Sequence, residues 1–222
     1  MRYFFLFFLI TINCFSQKSY SFDYLIEYSF VSYKDSTSNK KIYYLTNSKD
    51  NSYFAKIESL DTLSFSLEFI AQDKIWAKTK IEKKDFFEAE FIKGTCDSKL
   101  THRNYFKEKT KHYKFEVLSD TIINNLSLER YKLMFIGKRK GKRSNPIGSN
   151  LYIIEDSTKF HLPILTHPTA FEEWKEEGQI PNGIFKEKNF LDFQDNVVEK
   201  HILKDYYMIN KTLIIPEDCL EQ

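Results

Sequence analysis

Alternation of apolar and polar residues constrains the fold of this chain more than any other feature. Leu63-Ser64-Phe65-Ser66-Leu67-Glu68-Phe69 sets Leu63, Phe65, Leu67 and Phe69 against Ser64, Ser66 and Glu68. Successive strand side chains point to opposite faces, so this pattern predicts a half-buried antiparallel strand. The same period runs through Tyr24-Ile26-Tyr28-Phe30, Ile75-Ala77-Thr79-Ile81, Phe87-Ala89-Phe91, Tyr113-Phe115-Val117 and Tyr131-Leu133-Phe135. Further strand-forming runs lie at Ile42 to Leu45, Tyr53 to Ile57, Leu151 to Ile154 and Tyr206 to Ile215. Polar turn clusters separate them, among them 34–39, 47–51, 71–74 and 119–125. Strands so closely spaced predict a mostly β fold: one large curved antiparallel sheet, an open or half barrel, read here as one-faced. Neither a Pro/Ser-rich linker nor a fixed-period repeat divides residues 17–222, which are expected to form a single domain.

One segment departs from the period of two. Pro168 stands at the start of His167-Pro168-Thr169-Ala170-Phe171-Glu172-Glu173-Trp174-Lys175-Glu176-Glu177-Gly178 and Gly178 at its end, which predicts a short helix near 168–177. Phe171 and Trp174 share a face at i and i+3 and are expected to lie across the sheet. Together with Phe65, Leu67 and Phe69 they are the candidate ligand-binding residues; the alternative is that all five are ordinary packing anchors.

The N-terminus reads differently again. Arg2 precedes the uncharged run Tyr3 to Ile12, then Asn13-Cys14-Phe15-Ser16-Gln17. Ten apolar residues are too few to span a bilayer, which takes about 20. A basic tip, an apolar run and a small residue at Ser16 match a secretory signal peptide over residues 1–16. Lipid attachment at Cys14 is the competing reading, and Asn13 before the cysteine argues against it. Export to a periplasm, to the outer-membrane periphery or outside the cell makes Cys96 and Cys219 a candidate disulfide, with two unpaired thiols as the alternative.

Composition limits the partners. With 33 Lys and Arg against 31 Asp and Glu, and with 21 Phe and 14 Tyr in 222 residues, the chain is neither disordered nor broadly polyanion-binding. Basic runs at 138–143 and 99–114 read as solvated surface or as contacts for anionic head groups, and export makes nucleic acid an unexpected partner. His161 and His167, with Glu172 and Glu173 beyond, are the candidate metal ligands. The histidines stand six positions apart with Pro163 between them, a spacing outside the helical zinc pattern, so structural roles are favoured and no cofactor is expected. No nucleophile elbow, HExxH, phosphate loop, dinucleotide fingerprint or CxxC is present.

Ile180-Pro181-Asn182-Gly183-Ile184, following the helix and preceded by Asp120-Thr121 and Tyr131-Lys132-Leu133, resembles the signature of the GLPGLI family of exported bacterial β-proteins. Asn182 stands inserted between Pro181 and Gly183, and Leu126 to Arg130 replace the family's usual pattern after the Asp-Thr hairpin. The resemblance implies a curved antiparallel sheet similar to periplasmic lipoprotein carriers, whose concave face and helical lid hold an acyl chain. Three functions stand open: an exported non-enzymatic protein binding a lipid or other apolar ligand on the concave face, a structural module contacting an envelope protein, and a metal-dependent hydrolase at His161 and His167.

Overall fold

The structure is a computed structural model that describes residues 18–34, 39–72, 75–94, 107–137 and 148–216. The signal-peptide segment, Cys14, Cys96, Cys219 and the basic runs at 138–143 and 99–106 lie outside the described residues.

Among the described residues, eleven strands form one sheet that does not close. They are β1 (Lys18–Ser32), β2 (Asn39–Asn47), β3 (Asp50–Ser59), β4 (Ser64–Ala71), β5 (Ile75–Glu82), β6 (Phe91–Lys93), β7 (Tyr113–Ile123), β8 (Leu126–Phe135), β9 (Ser149–Ile154), β10 (Phe185–Leu191) and β11 (Val197–Ile215). Across the sheet the order is β5-β4-β3-β2-β1-β11-β10-β9-β8-β7, leaving β5 and β7 as edges. All neighbours on this path pair antiparallel; β6 alone runs parallel, beside residues 212–214 of β11. The α-helices among the described residues are α1 (Lys83–Glu88) and α2 (Pro168–Glu177).

The expectation of a one-faced sheet is corrected. Two separate apolar cores lie on its opposite faces. Tyr24, Ile26, Tyr28, Ile42, Tyr44 and Phe54 face the first, with Tyr131, Tyr152, Phe185 and α2. Leu25, Leu45, Ala55, Ile57, Phe65, Leu67 and Phe69 face the second, closed by Phe86 of α1, Ile92 of β6 and Leu213 of β11. Adjacent residues such as Tyr24, Leu25 and Ile26 are therefore all buried.

The sheet bends to make the second core. Tyr20 on β1 and Phe69 on β4 sit three strands apart, about 14 Å in a flat sheet, yet their ring centroids are 4.5 Å apart. Phe87-Ala89-Phe91, expected to be a strand, is instead the end of α1 followed by β6. The helical turn sends Phe86 inward at 0% exposure and leaves Phe87 outside. Lys211 donates to the carbonyls of Ala89 and Phe87 at 2.7 and 3.5 Å, satisfying acceptors that a helix end leaves bare. Leu63, expected on the buried face of β4, is 75% exposed. It lies in a turn in which the Asp61 carboxylate accepts from the backbone N–H of Leu63 and Ser64 at 2.8 and 2.7 Å.

The helix near 168–177 forms as the sequence predicts. His167 caps it, its Nδ1 accepting from Thr169 N at 3.2 Å, and Gly178 ends it in the left-handed region at φ 62°. None of the helices in the described residues is long and apolar enough to cross a membrane.

Candidate functional site

The two histidines singled out by sequence serve the fold. His161 is 1% exposed. Its Nδ1 lies 2.5 Å from the Leu162 carbonyl, which only accepts, so Nδ1 carries the proton and Nε2 accepts from the Thr46 hydroxyl at 2.9 Å. Burial holds this imidazole below its ordinary pKa. His167 is spent on its helix cap. Among the described residues no three His, Cys, Asp or Glu side chains come together in a metal-holding group.

The five candidate ligand-binding residues are not brought together. Phe65, Leu67 and Phe69 are packed in the second core, while Phe171 and Trp174 belong to the first. Phe171 is buried, and Trp174 sits half-buried at its margin with the two rings 6.2 Å apart.

An accessible concavity lies on the first core's face. It is a cleft of about 390 Å3. Its floor is Phe30 of β1, Ile42 and Tyr44 of β2, Phe54 of β3 and Ile70 of β4, and Thr166, just before α2, forms part of its rim. Its polar lining comprises Lys40, Lys56, Glu68, Lys188, Glu199 and His201. None of these was selected from the sequence.

The strand registers explain how these groups converge. Lys40 pairs across from Phe30, Lys56 from Tyr44 and Glu68, and Lys188 from His201 on one side and Tyr152 on the other. Directly opposed residues share a face, so two rows of positions meet at the cleft: Glu68, Lys56 and Tyr44 across β4, β3 and β2, and Lys40, Phe30, His201 and Lys188 across β2, β1, β11 and β10.

Most of these charges are neutralised internally. Glu58 binds Lys40 at 2.7 Å and Lys56 at 3.2 Å. Burial acts to raise the Glu58 pKa, but the hydrogen bonds and charges of the two lysines outweigh it and hold the carboxyl below its ordinary value. The Trp76 indole donates to Glu68 at 2.6 Å.

Apart from Glu199, which forms no ion pair among the described residues, Lys188 is the exception. Its Nζ donates to Thr166 Oγ1 at 2.5 Å and lies 5.9 Å from the centroid of the Tyr152 ring. Among the described residues it has no carboxylate within ion-pair distance. Burial of the ammonium lowers its pKa to about 8, with Glu199 opposing and Lys56 assisting. Beside it, His201 is packed among rings, with Phe30 at 4.9 Å and Tyr28 at 6.2 Å. Burial, followed by the charges of Lys188, Lys56 and Lys40, pushes its pKa down to about 3, so it is neutral at pH 7.

A charged group less at ease in the fold than in water costs stability. The fall from 10.5 to about 8 corresponds to roughly 3 kcal/mol at neutral pH, reduced to about 1–2 kcal/mol because the side chain is only half-buried. Lys188→Met is therefore expected to raise the unfolding free energy by about 1–2 kcal/mol, read from the urea midpoint at pH 7. A lowered midpoint would show the ammonium to be structural.

No family model matches this chain, and no curated protein matches it. Solved structures similar to it include a chain of the Pseudomonas aeruginosa MucA/MucB complex, with TM-score 0.42 and 7% identity over 90% of this chain and 55% of that one. A crystal structure of MucB aligns with TM-score 0.41 and 6% identity over 90% of this chain and 57% of that one. This chain thus spans little more than half the length of either. A DUF1329 family protein from Desulfovibrio piger aligns with TM-score 0.26 and 8% identity, covering 88% of this chain and 86% of that one.

Proposed function

We propose that this chain is an exported, non-enzymatic binding protein that holds a small molecule with an apolar body in the cleft beside Thr166. The observation that carries this reading is the cleft itself. Its volume of about 390 Å3 falls within the range of ligand pockets, roughly 300–1,000 Å3, and Phe30 and Ile70, both only half-buried, give it apolar surface among its charged groups. The sequence of residues 1–16 supports export. Lipid or another apolar molecule is the class of ligand, and the bound region is the cleft rather than either packed group of apolar residues.

A saturable titration with Nile red, a neutral probe that brightens in apolar surroundings, tests the reading. One site per chain is expected, and Ile70→Trp, which places a larger ring on the floor, is expected to weaken it about tenfold or more. Absence of saturable binding, or equal binding by the variant, would sink it.

A second reading, a structural module that docks on an envelope protein, draws on the edge strand β7. Val117 and Ile122 on that strand are 57% and 76% exposed, and an open edge can accept another strand.

A further inference from the structure

We infer that the ligand of this cleft is a monocarboxylate with an apolar body, its carboxylate seated on Lys188. The inference rests on the binding reading above and names the chemical class that the cleft takes. An ammonium has three N–H donors. One of those of Lys188 is spent on the neutral Thr166 hydroxyl, and the Tyr152 ring face lies on another side. A cation drawn out of water is retained at a cost unless an anion and hydrogen bonds compensate it. The other lysines of the cleft have their anion: Lys40 and Lys56 share Glu58. Lys188 has no carboxylate within ion-pair distance among the described residues, Glu199 acting on it only from farther off, and it lines the cavity, so its remaining donors can be met by a group entering from outside.

His201 supplies a second contact. It is paired across the sheet from Lys188 on the same face, and its ring nitrogens have no hydrogen-bond partner among the described residues. A neutral imidazole offers one N–H donor to an anion without adding charge. Glu199, two residues along β11 and also lining the cleft, sets the upper limit on charge: a second negative charge on the ligand would meet a carboxylate. One compact negative charge is what this arrangement accommodates. Phe30 and Ile70, half-buried at the same cavity, then receive the body of the molecule.

Calorimetric titration of the chain beginning at Gln17 with decanoate, decanol, decyl phosphate and acetate at pH 7 separates the possibilities. Decanoate is expected to bind about tenfold or more tightly than decanol, the margin a charge-assisted hydrogen bond provides. Decyl phosphate is expected to bind more weakly than decanoate, and acetate not to compete. Lys188→Met is expected to erase the preference for decanoate over decanol, and Lys188→Arg to keep it. Equal affinities for decanoate and decanol, a preference that survives Lys188→Met, tighter binding of decyl phosphate, or full competition by acetate would each overturn the inference. Nile red binding would be untouched by any of these failures; its own loss would instead remove the binding reading.

Discussion

Acidification from pH 7 to pH 4.5 is expected to cost the folded protein about 2.5 kcal/mol through His201 alone. This imidazole is 8% exposed, and its pKa in the fold is about 3 against an ordinary value of 6.5. Within that window the unfolded chain takes up a proton that the folded chain refuses. The stability associated with the neutral ring is complete above pH 6.5 and is lost as the pH falls toward 3, at about 1.4 kcal/mol per unit. His201 faces Lys188 from β10, Lys40 from β2 and Lys56 from β3, all of which oppose its charging. Its rings of contact, Tyr28, Phe30, Tyr44 and Phe185, offer no carboxylate. His161, buried and fixed in one tautomer by Thr46 and Leu162, titrates in the same direction and adds to the loss. Asp61 and Asp192 are held below ordinary carboxylate values, first by backbone hydrogen bonds, and so release their share of stability at lower pH. Urea midpoints at pH 7, 6, 5 and 4.5 measure the slope, and His201→Gln is expected to reduce it by about one proton. Identical slopes for the two proteins would show that His201 charges without penalty.

The fold was readable from the sequence wherever side-chain parity stays in step. Tyr24, Ile26, Tyr28 and Phe30 keep one face through β1, and the helix at Pro168–Glu177 follows from Pro168, the apolar i and i+3 pair and Gly178. Two-sided burial left a signal of its own in consecutive apolar triplets such as Tyr53-Phe54-Ala55, all buried. Alternation counted along one face passes over such triplets, although a strand covered on both faces has no polar side to show.

The cleft was hidden for a different reason. Its key strand, Phe185-Lys186-Glu187-Lys188-Asn189-Phe190-Leu191, shows no alternation because the register shifts between Phe185 and Glu187. Counting by twos from the buried Phe185 would place residues 187 and 189 on the first core's face; the bulge puts Lys188 there instead. Sequence also gives no view of which lysines are neutralised. Lys40, Lys56 and Lys188 look alike in one dimension, and only the position of Glu58 between the first two distinguishes the third.

Phe185→Ala is expected to be among the most damaging single substitutions, lowering stability by about 3–5 kcal/mol. Phe185 is 1% exposed and stands where the segment carrying α2 rejoins the sheet, directly after Ile180-Pro181-Asn182-Gly183-Ile184. Gly183 leads into it at φ 133°, a conformation that side-chain-bearing residues rarely adopt, and a Cβ there would lie 2.5 Å from Ile154 Cγ2. The Phe185 ring stacks on Tyr28 at 4.4 Å and meets the Tyr152 ring edge-on at 6.0 Å. Its carbonyl accepts from the Tyr28 hydroxyl at 2.9 Å. Truncation removes the ring from between β1 and β9, and the neighbouring tyrosines cannot close the space, since each is held in its own strand pairing. Tyr28→Phe separates the two contributions: it keeps the stack, loses one hydrogen bond and leaves the Phe185 carbonyl buried, for about 1–2 kcal/mol. Because the Tyr28 hydroxyl bonds to the Phe185 backbone, which survives truncation, the two losses are coupled mainly through the stack. The double variant is expected to fall short of the summed costs by about 0.5–1.5 kcal/mol, the range for an aromatic pair in contact. Urea unfolding of the four proteins gives the cycle directly. A Phe185→Ala cost below about 2 kcal/mol would mean that the segment from Ile180 to Phe185 is not what fastens the helix to the sheet.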